Sequence, residues 1–208
     1  MPLPASTWEL KSTPNAEGAK ASVLKGVSCS SSTACTAVGY YKNSSGVFVT
    51  LAERWNGTEW KVQSTPNPTG AKESFLEGVS CASSTACTAT GYYENSSSVL
   101  VTLAEGWNGT EWKVQTTPNP TGAKESFLEG ISCTSSTACI AVGYYRNSSG
   151  VLVTLAEGWN GTEWKVQSTP NPEGAKESFL KGVWCSSSTA CTAVGYYKNL
   201  SGVFVTLA

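Results

Sequence analysis

The sequence predicts an all-β fold, a β-propeller of four blades that each hold four antiparallel strands. Three observations predict it. A pattern of 52 residues recurs four times and fills the 208-residue chain, and periods of this length mark propellers, solenoids or arrays. Each copy carries four short runs of period-two alternation divided by turn residues, with no helical period. Each copy also carries one Cys-x5-Cys pair at the same place. A single copy is too small to bury a core without neighbours, so units 1–52, 53–104, 105–156 and 157–208 form one domain.

Within a unit the inner strand begins near Leu24, the second near Thr36, the third near Val47 and the outer one near Trp60. On the third strand Val47, Val49, Leu51 and Trp55 share a face, and on the fourth Trp60 and Val62 do. Asn-Gly at 56–57, 108–109 and 160–161 lies between these two strands. That dipeptide predicts a two-residue type I′ turn, which needs positive φ at both central residues. The stretch Ser64–Glu73 holds two prolines and a glycine and reads as a long connection. The following inner strand, Phe75–Cys81, carries Gly78 and Ser80, small residues that suit a strand crowded near an axis. Solenoids are the rival architecture, but their units usually hold fewer strands or a helix.

The ends predict closure. Trp8–Lys11 is a lone outer strand and Val203–Ala208 a lone third strand, and pairing them in one blade removes exposed edges. A cut from a longer array is the competing reading.

Composition excludes several chemistries. The chain has no His and no Asp, so Ser-His-Asp, Cys-His and His-metal sites are ruled out, and no cofactor or metal is expected. Its net charge is −1 with Lys and Glu scattered, so no basic stripe marks a nucleic-acid partner. No apolar run approaches the ~18 residues of a membrane span. The start, Met-Pro-Leu-Pro-Ala-Ser-Thr-Trp, shows neither the basic nor the apolar part of a leader peptide.

The eight cysteines fall into Cys29–Cys35, Cys81–Cys87, Cys133–Cys139 and Cys185–Cys191. Opposed residues of an antiparallel pair lie within disulfide range. The x5 spacing is wider than in zinc knuckles, and no basic group consistently flanks the thiols. Four hairpin disulfides and a secreted, extracellular protein are therefore predicted.

Alternate loops of a meander lie on opposite faces. The Cys hairpins and Asn-Gly turns share the tighter one, and the two longer loops share the other, where function tends to concentrate. Its candidate ligand-binding residues are Tyr41, Asn43, Lys72, Glu73, Tyr93, Asn95, Lys124, Glu125, Tyr145, Asn147, Lys176, Glu177, Tyr197 and Asn199. Aromatic rings beside amide, amine and carboxylate groups suit sugars, whose CH faces stack while hydroxyls hydrogen-bond. Each of these residues also has a plain structural use. Asn-Ser-Ser is a turn former, one Tyr of each pair turns inward, Lys and Glu make a solvated rim, and Trp60, Trp112 and Trp164 pack between blades.

The segments Gly-Val-Ser-Cys-x-Ser-Ser-Thr-Ala-Cys-Thr-Ala-Val-Gly-Tyr-Tyr and Thr-Leu-Ala-Glu-Arg-Trp-Asn-Gly-Thr resemble a tandem-repeat family of secreted actinobacterial proteins without an assigned activity. The resemblance spans all four copies. In organisation the chain is similar to small propeller lectins of the tachylectin kind and to four-bladed hemopexin-like rings, although no sugar-site motif of theirs is matched. Glu53–Ala104 and Glu105–Ala156 differ at 8 positions, a likeness that also fits a symmetrised or designed propeller.

The leading functional expectation is a non-enzymatic multivalent module that binds a glycan or surface polysaccharide, gaining avidity from equivalent sites. The alternative is a structural or self-assembling scaffold. Trp184 and Leu200, apolar where other copies have Ser, would mark its contact patch. A glycosidase needs a pair of carboxylates, and nearly every Glu here recurs with the repeat. The chain is expected to be a monomeric ring or a dimer of half-rings.

Overall fold

The computed structural model describes residues 8–208, and every regular element in them is a strand. Blade 1 is built from β1 (Ala21–Ser31), β2 (Ala34–Lys42), β3 (Phe48–Trp55) and β4 (Trp60–Gln63). Blade 2 follows with β5 (Glu73–Ser83), β6 (Ala86–Glu94), β7 (Leu100–Trp107) and β8 (Trp112–Gln115). Blade 3 holds β9 (Glu125–Ser135), β10 (Ala138–Arg146), β11 (Leu152–Trp159) and β12 (Trp164–Gln167). Blade 4 holds β13 (Glu177–Ser187), β14 (Ala190–Lys198) and β15 (Phe204–Leu207). Strands within each sheet pair antiparallel in sequence order, which makes the molecule a β-propeller array. Each inner strand has a register shift near its middle, as between Leu24 and Gly26, and bulges of this kind bend and twist a strand.

The four cysteine pairs stand directly opposite one another, as Cys81 does Cys87, and all four are disulfides. The Asn-Gly connection differs from the expected two-residue turn. Strands end at Trp55 and resume at Trp60, so four residues form the loop. Gly57 takes φ 98° while Asn56 does not enter positive φ. The Asn56 side-chain oxygen accepts hydrogen bonds from the Thr58 and Glu59 amides instead. The side chain caps the backbone itself and makes the left-handed conformation unnecessary at Asn56.

Blades stack by setting the inner strand of one against the first three strands of the blade before it. Leu76 lies in one buried cluster with Val38 and Ala52 of blade 1, Leu128 joins Ala104 of blade 2, and Leu180 joins Val142 and Ala156 of blade 3. The small residues foreseen on the inner strands are needed here. A Cβ on Gly78 would sit 3.0 Å from the Glu129 carbonyl oxygen of the next inner strand. Ser28 seals the contact by accepting a hydrogen bond from the Cys81 amide at 3.0 Å, and Ser80 and Ser132 do the same for Cys133 and Cys185. The Pro-Asn-Pro segment crosses from blade to blade. Asn67 accepts the Thr50 amide and Thr50 donates its hydroxyl to Thr65.

The first two seams each bury a carboxyl group, Glu105 against blade 1 and Glu157 against blade 2. Glu53, Glu105 and Glu157 are all inaccessible, and neither oxygen of Glu105 or Glu157 has a hydrogen-bond partner. Burial pushes Glu105 and Glu157, which lie beside the Thr50 and Thr102 hydroxyls of the preceding blade, up to about 8. It raises Glu53 as well. Glu105 and Glu157 are therefore held as neutral acids near neutral pH.

The expected ring closure is not seen. Among the described residues, Trp8 and Leu10 are fully exposed and β15 pairs only with β14. A physical reason lies in the register. Outer strands pair with positions equivalent to Ala104–Trp107, and the counterparts in blade 4 begin only at Ala208. Among the described residues, only Ala208 stands in that register for Trp8–Lys11. The part of this expectation that concerns residues 1–7 lies outside the described residues.

Candidate functional site

On the long-loop face, the structure spends much of the predicted chemistry on local architecture. The side-chain oxygens of Asn43, Asn147 and Asn199 accept the Val47, Val151 and Val203 amides, and that of Asn95 accepts those of Ser97 and Val99. These oxygens close the loop between the second and third strands. Lys72 donates to the Ser98 hydroxyl and lies 3.9 Å from Glu94. Glu125 is bound to Arg146 at 2.7 Å. Glu73 faces Glu94 across the ladder and Glu177 faces Lys198. Lys124 and Lys176 stay exposed. Register thus brings the Lys, Glu and Asn of one blade to a single rim.

The two Tyr of each pair diverge, as alternation requires. Tyr93 and Tyr145 pack against the clusters of their own blades. Tyr93 also borders an open groove of about 560 Å³ with Pro66, Pro68 and Trp112. Tyr41 and Tyr197 hold the same place in blades 1 and 4, half-buried. The other tyrosines form a belt across the whole array. From Phe48 the rings run through Tyr40, Phe75, Tyr92, Phe127, Tyr144, Phe179 and Tyr196 to Phe204, with centroids 4.8–5.6 Å apart. Burial in this belt, helped by Glu77 and Glu129, raises the Tyr92 hydroxyl to about 12.

Two further concavities open on the opposite face, beside the disulfides. A cleft of about 740 Å³ lies between blades 2 and 3, and one of about 360 Å³ between blades 3 and 4. A difference between copies accounts for them. In blade 1, Arg54 points across the seam, its guanidinium 4.6 Å from the Trp107 ring centre and donating to the Ser84 carbonyl. Glycine replaces it at 106 and 158, and both glycines line the clefts. Without the arginine, Trp159 is partly exposed where Trp107 is buried.

The larger cleft has an apolar wall of Trp159, Trp164 and the Cys87 and Cys133 sulfurs. Its polar rim comes from Thr88, Asn108, Lys113, Gln115 and Glu163. Gln115 is fixed by the Trp164 indole N–H at 2.9 Å, which leaves its amide nitrogen beside Gly106. Glu163, the single carboxylate of the cleft, is paired with Lys165 at 2.7 Å, and that pair holds its carboxyl below the usual range. Tryptophan and amide side by side offer a stacking face and directional hydrogen bonds together. Reading one copy at a time misses this site. Its signal is the change from Glu-Arg-Trp at 53–55 to Glu-Gly-Trp at 105–107 and 157–159.

No protein-family model matches the chain, and no curated protein matches it in sequence. Solved structures share its fold. AofleA from Arthrobotrys oligospora superposes at a TM-score of 0.52 with 14% identity, over 88% of this chain and 52% of that one. Fructan 1-exohydrolase IIa from Cichorium intybus gives 0.51 with 11% identity, over 84% and 39%. A fucose lectin from Kordia zhangzhouensis, solved with methyl-fucoside, gives 0.45 with 15% identity, over 70% of this chain and all of its own. The chain thus spans about half the length of AofleA and less of the exohydrolase.

Proposed function

We propose that this protein is a non-enzymatic, multivalent carbohydrate-binding module that acts outside the cell. The cleft between blades 2 and 3 carries the reading. It sets a partly exposed Trp159 beside an oriented Gln115 amide and a polar rim, the combination that recognises a pyranose by stacking and hydrogen bonds. The cleft between blades 3 and 4 repeats Gly158 and Gln167 and supplies a second, smaller site. The long-loop rim, with Tyr93, Lys72 and Asn95 as its best-grouped example, is proposed as the contact for outlying residues of a longer glycan. One carboxylate engaged by lysine supports binding in preference to hydrolysis, which takes a pair. Four disulfides fit an oxidising, extracellular setting. Self-assembly is the second reading, favoured by the exposed Trp184 on the last blade.

A glycan array with fucosides and fructans among its members, followed by calorimetry on each hit, tests the proposal. Gly106→Arg should fill the large cleft as Arg54 fills its own and weaken binding about tenfold, some 1.4 kcal/mol. Binding that ignores both Gly106→Arg and Trp159→Ala would place the sugar elsewhere, and silence across the array would end the reading.

A further inference from the structure

We infer that the cleft between blades 2 and 3 is a receptor for an arginine side chain carried on a foreign polypeptide, because the chain itself holds a filled copy of the same pocket. In the first seam the Arg54 guanidinium lies 4.6 Å from the Trp107 ring centre and donates to the Ser84 carbonyl at 2.6 Å. Shifted by one repeat, that ring and that acceptor are Trp159 and Ser136, and both line the cleft. Only the arginine fails to recur, since Gly106 stands in its place. The indoles record the difference. Trp55 and Trp159 donate their N–H groups to the Ser32 and Ser136 carbonyls at 3.3 and 3.2 Å. The Trp107 N–H has no partner, and the Ser84 carbonyl is held by Arg54 instead. An incoming guanidinium therefore meets in the second seam the π face and the carbonyl that Arg54 uses in the first. The Ser136 oxygen has two lone pairs, so it can accept the new donor beside the indole or in its place. A planar guanidinium stacks on indole as an ammonium does not.

Two amides on the rim favour a peptide over a free amino acid. The Asn108 side-chain oxygen accepts the Thr110 and Glu111 amides, and the Gln115 oxygen accepts the Trp164 indole. Each side chain is left with its NH2 group as a donor, and the acceptor that matches it is a peptide carbonyl on either side of the arginine. The charges at the mouth do not oppose a cation. Lys113 is paired with Glu111 at 2.8 Å, and Glu163 with Lys165 at 2.7 Å. A second copy of this chain is not the partner. Its two arginines are Arg54, which fills the first seam, and Arg146, which is bound to Glu125 at 2.7 Å and donates to the Gly150 carbonyl. A glycan in the cleft would compete with such a peptide, and either ligand can fail while the other binds.

Calorimetry with an acetylated and amidated Gly-Arg-Gly peptide tests this, and a single site on each chain is expected. Peptides with citrulline or lysine in place of the arginine should bind about tenfold more weakly, since one lacks the charge and the other the planar fork. Trp159→Leu and Gly106→Arg should each abolish binding, the second by filling the pocket from within, with circular dichroism unchanged. Trp159→Phe replaces Trp159→Leu if that variant does not fold, and should weaken binding. The Trp159 indole N–H resonance should move when the arginine peptide is added and stay in place with the citrulline peptide. Arg54→Gly should empty the first pocket and add a second site. Silence of the arginine peptide, equal binding of the citrulline peptide, or binding that survives both Trp159→Leu and Gly106→Arg would overturn the inference. A site count unchanged by Arg54→Gly would overturn the equivalence of the two pockets, and arginine amide binding as tightly as the peptide would overturn the polypeptide as source.

Discussion

The seam between blades 1 and 2 and the seam between blades 2 and 3 are built from the same parts. Both have a buried leucine, a buried glutamate, a serine that accepts a cysteine amide, and a tryptophan pair. They differ across the disulfide face, where one places Arg54 over Trp107 and the other leaves Gly106 before Trp159. What the seams share holds the array together. Where they part, a cleft opens, so one replaced side chain separates a structural seam from a candidate binding site without altering the strands around it.

The largest effects should fall on the shared parts and should be alike at both seams. Glu105 and Glu157 are raised from the ordinary carboxylate range to about 8. Their contribution to stability is therefore complete below about pH 4.5 and is lost as pH rises through 8, because the unfolded chain ionises first. Denaturant titrations should show stability falling across that window by several kcal/mol in order of magnitude. Glu105→Gln and Glu157→Gln should each flatten the slope to a similar degree. Next, Leu76→Ala and Leu128→Ala should each cost about 2–5 kcal/mol. Unequal losses would mean that the seams are not mechanically equivalent. Replacing Cys81 and Cys87 by Ser should cost about 2 kcal/mol, as should the same change at Cys133 and Cys139. The smallest effect on stability, within about 0.5 kcal/mol, belongs to Arg54→Gly. It should open a cleft in the first seam and add a sugar site countable by calorimetry. An unchanged stoichiometry would show that glycine alone does not make the site.

The strand plan was legible because it rests on local signals. Alternation in Val47–Trp55, the prolines near Asn67 and the even cysteine spacing each fix one element. The Asn-Gly turn was misjudged because dipeptide preference does not register that the Asn56 carboxamide can cap the loop itself. Closure is not seen among the described residues, where Trp8–Lys11 stays exposed and the third-strand register of blade 4 supplies only Ala208 to it. The clefts were hidden by the habit of averaging copies. The Asn43 and Asn95 side chains were assigned to a ligand, whereas their oxygens close loops. Chemical type was readable from the repeat, but whether a group is free for a partner depends on neighbours 15 to 50 residues away.

The belt from Phe48 to Phe204 has a mechanical consequence. Rings in edge-to-face contact at every seam resist being drawn apart on the long-loop side, while the disulfide side at Gly106 and Gly158 has no such filling. The blades should therefore move like the leaves of a fan pinned at the handle, so that a small rotation about the aromatic pin widens or narrows both clefts at once.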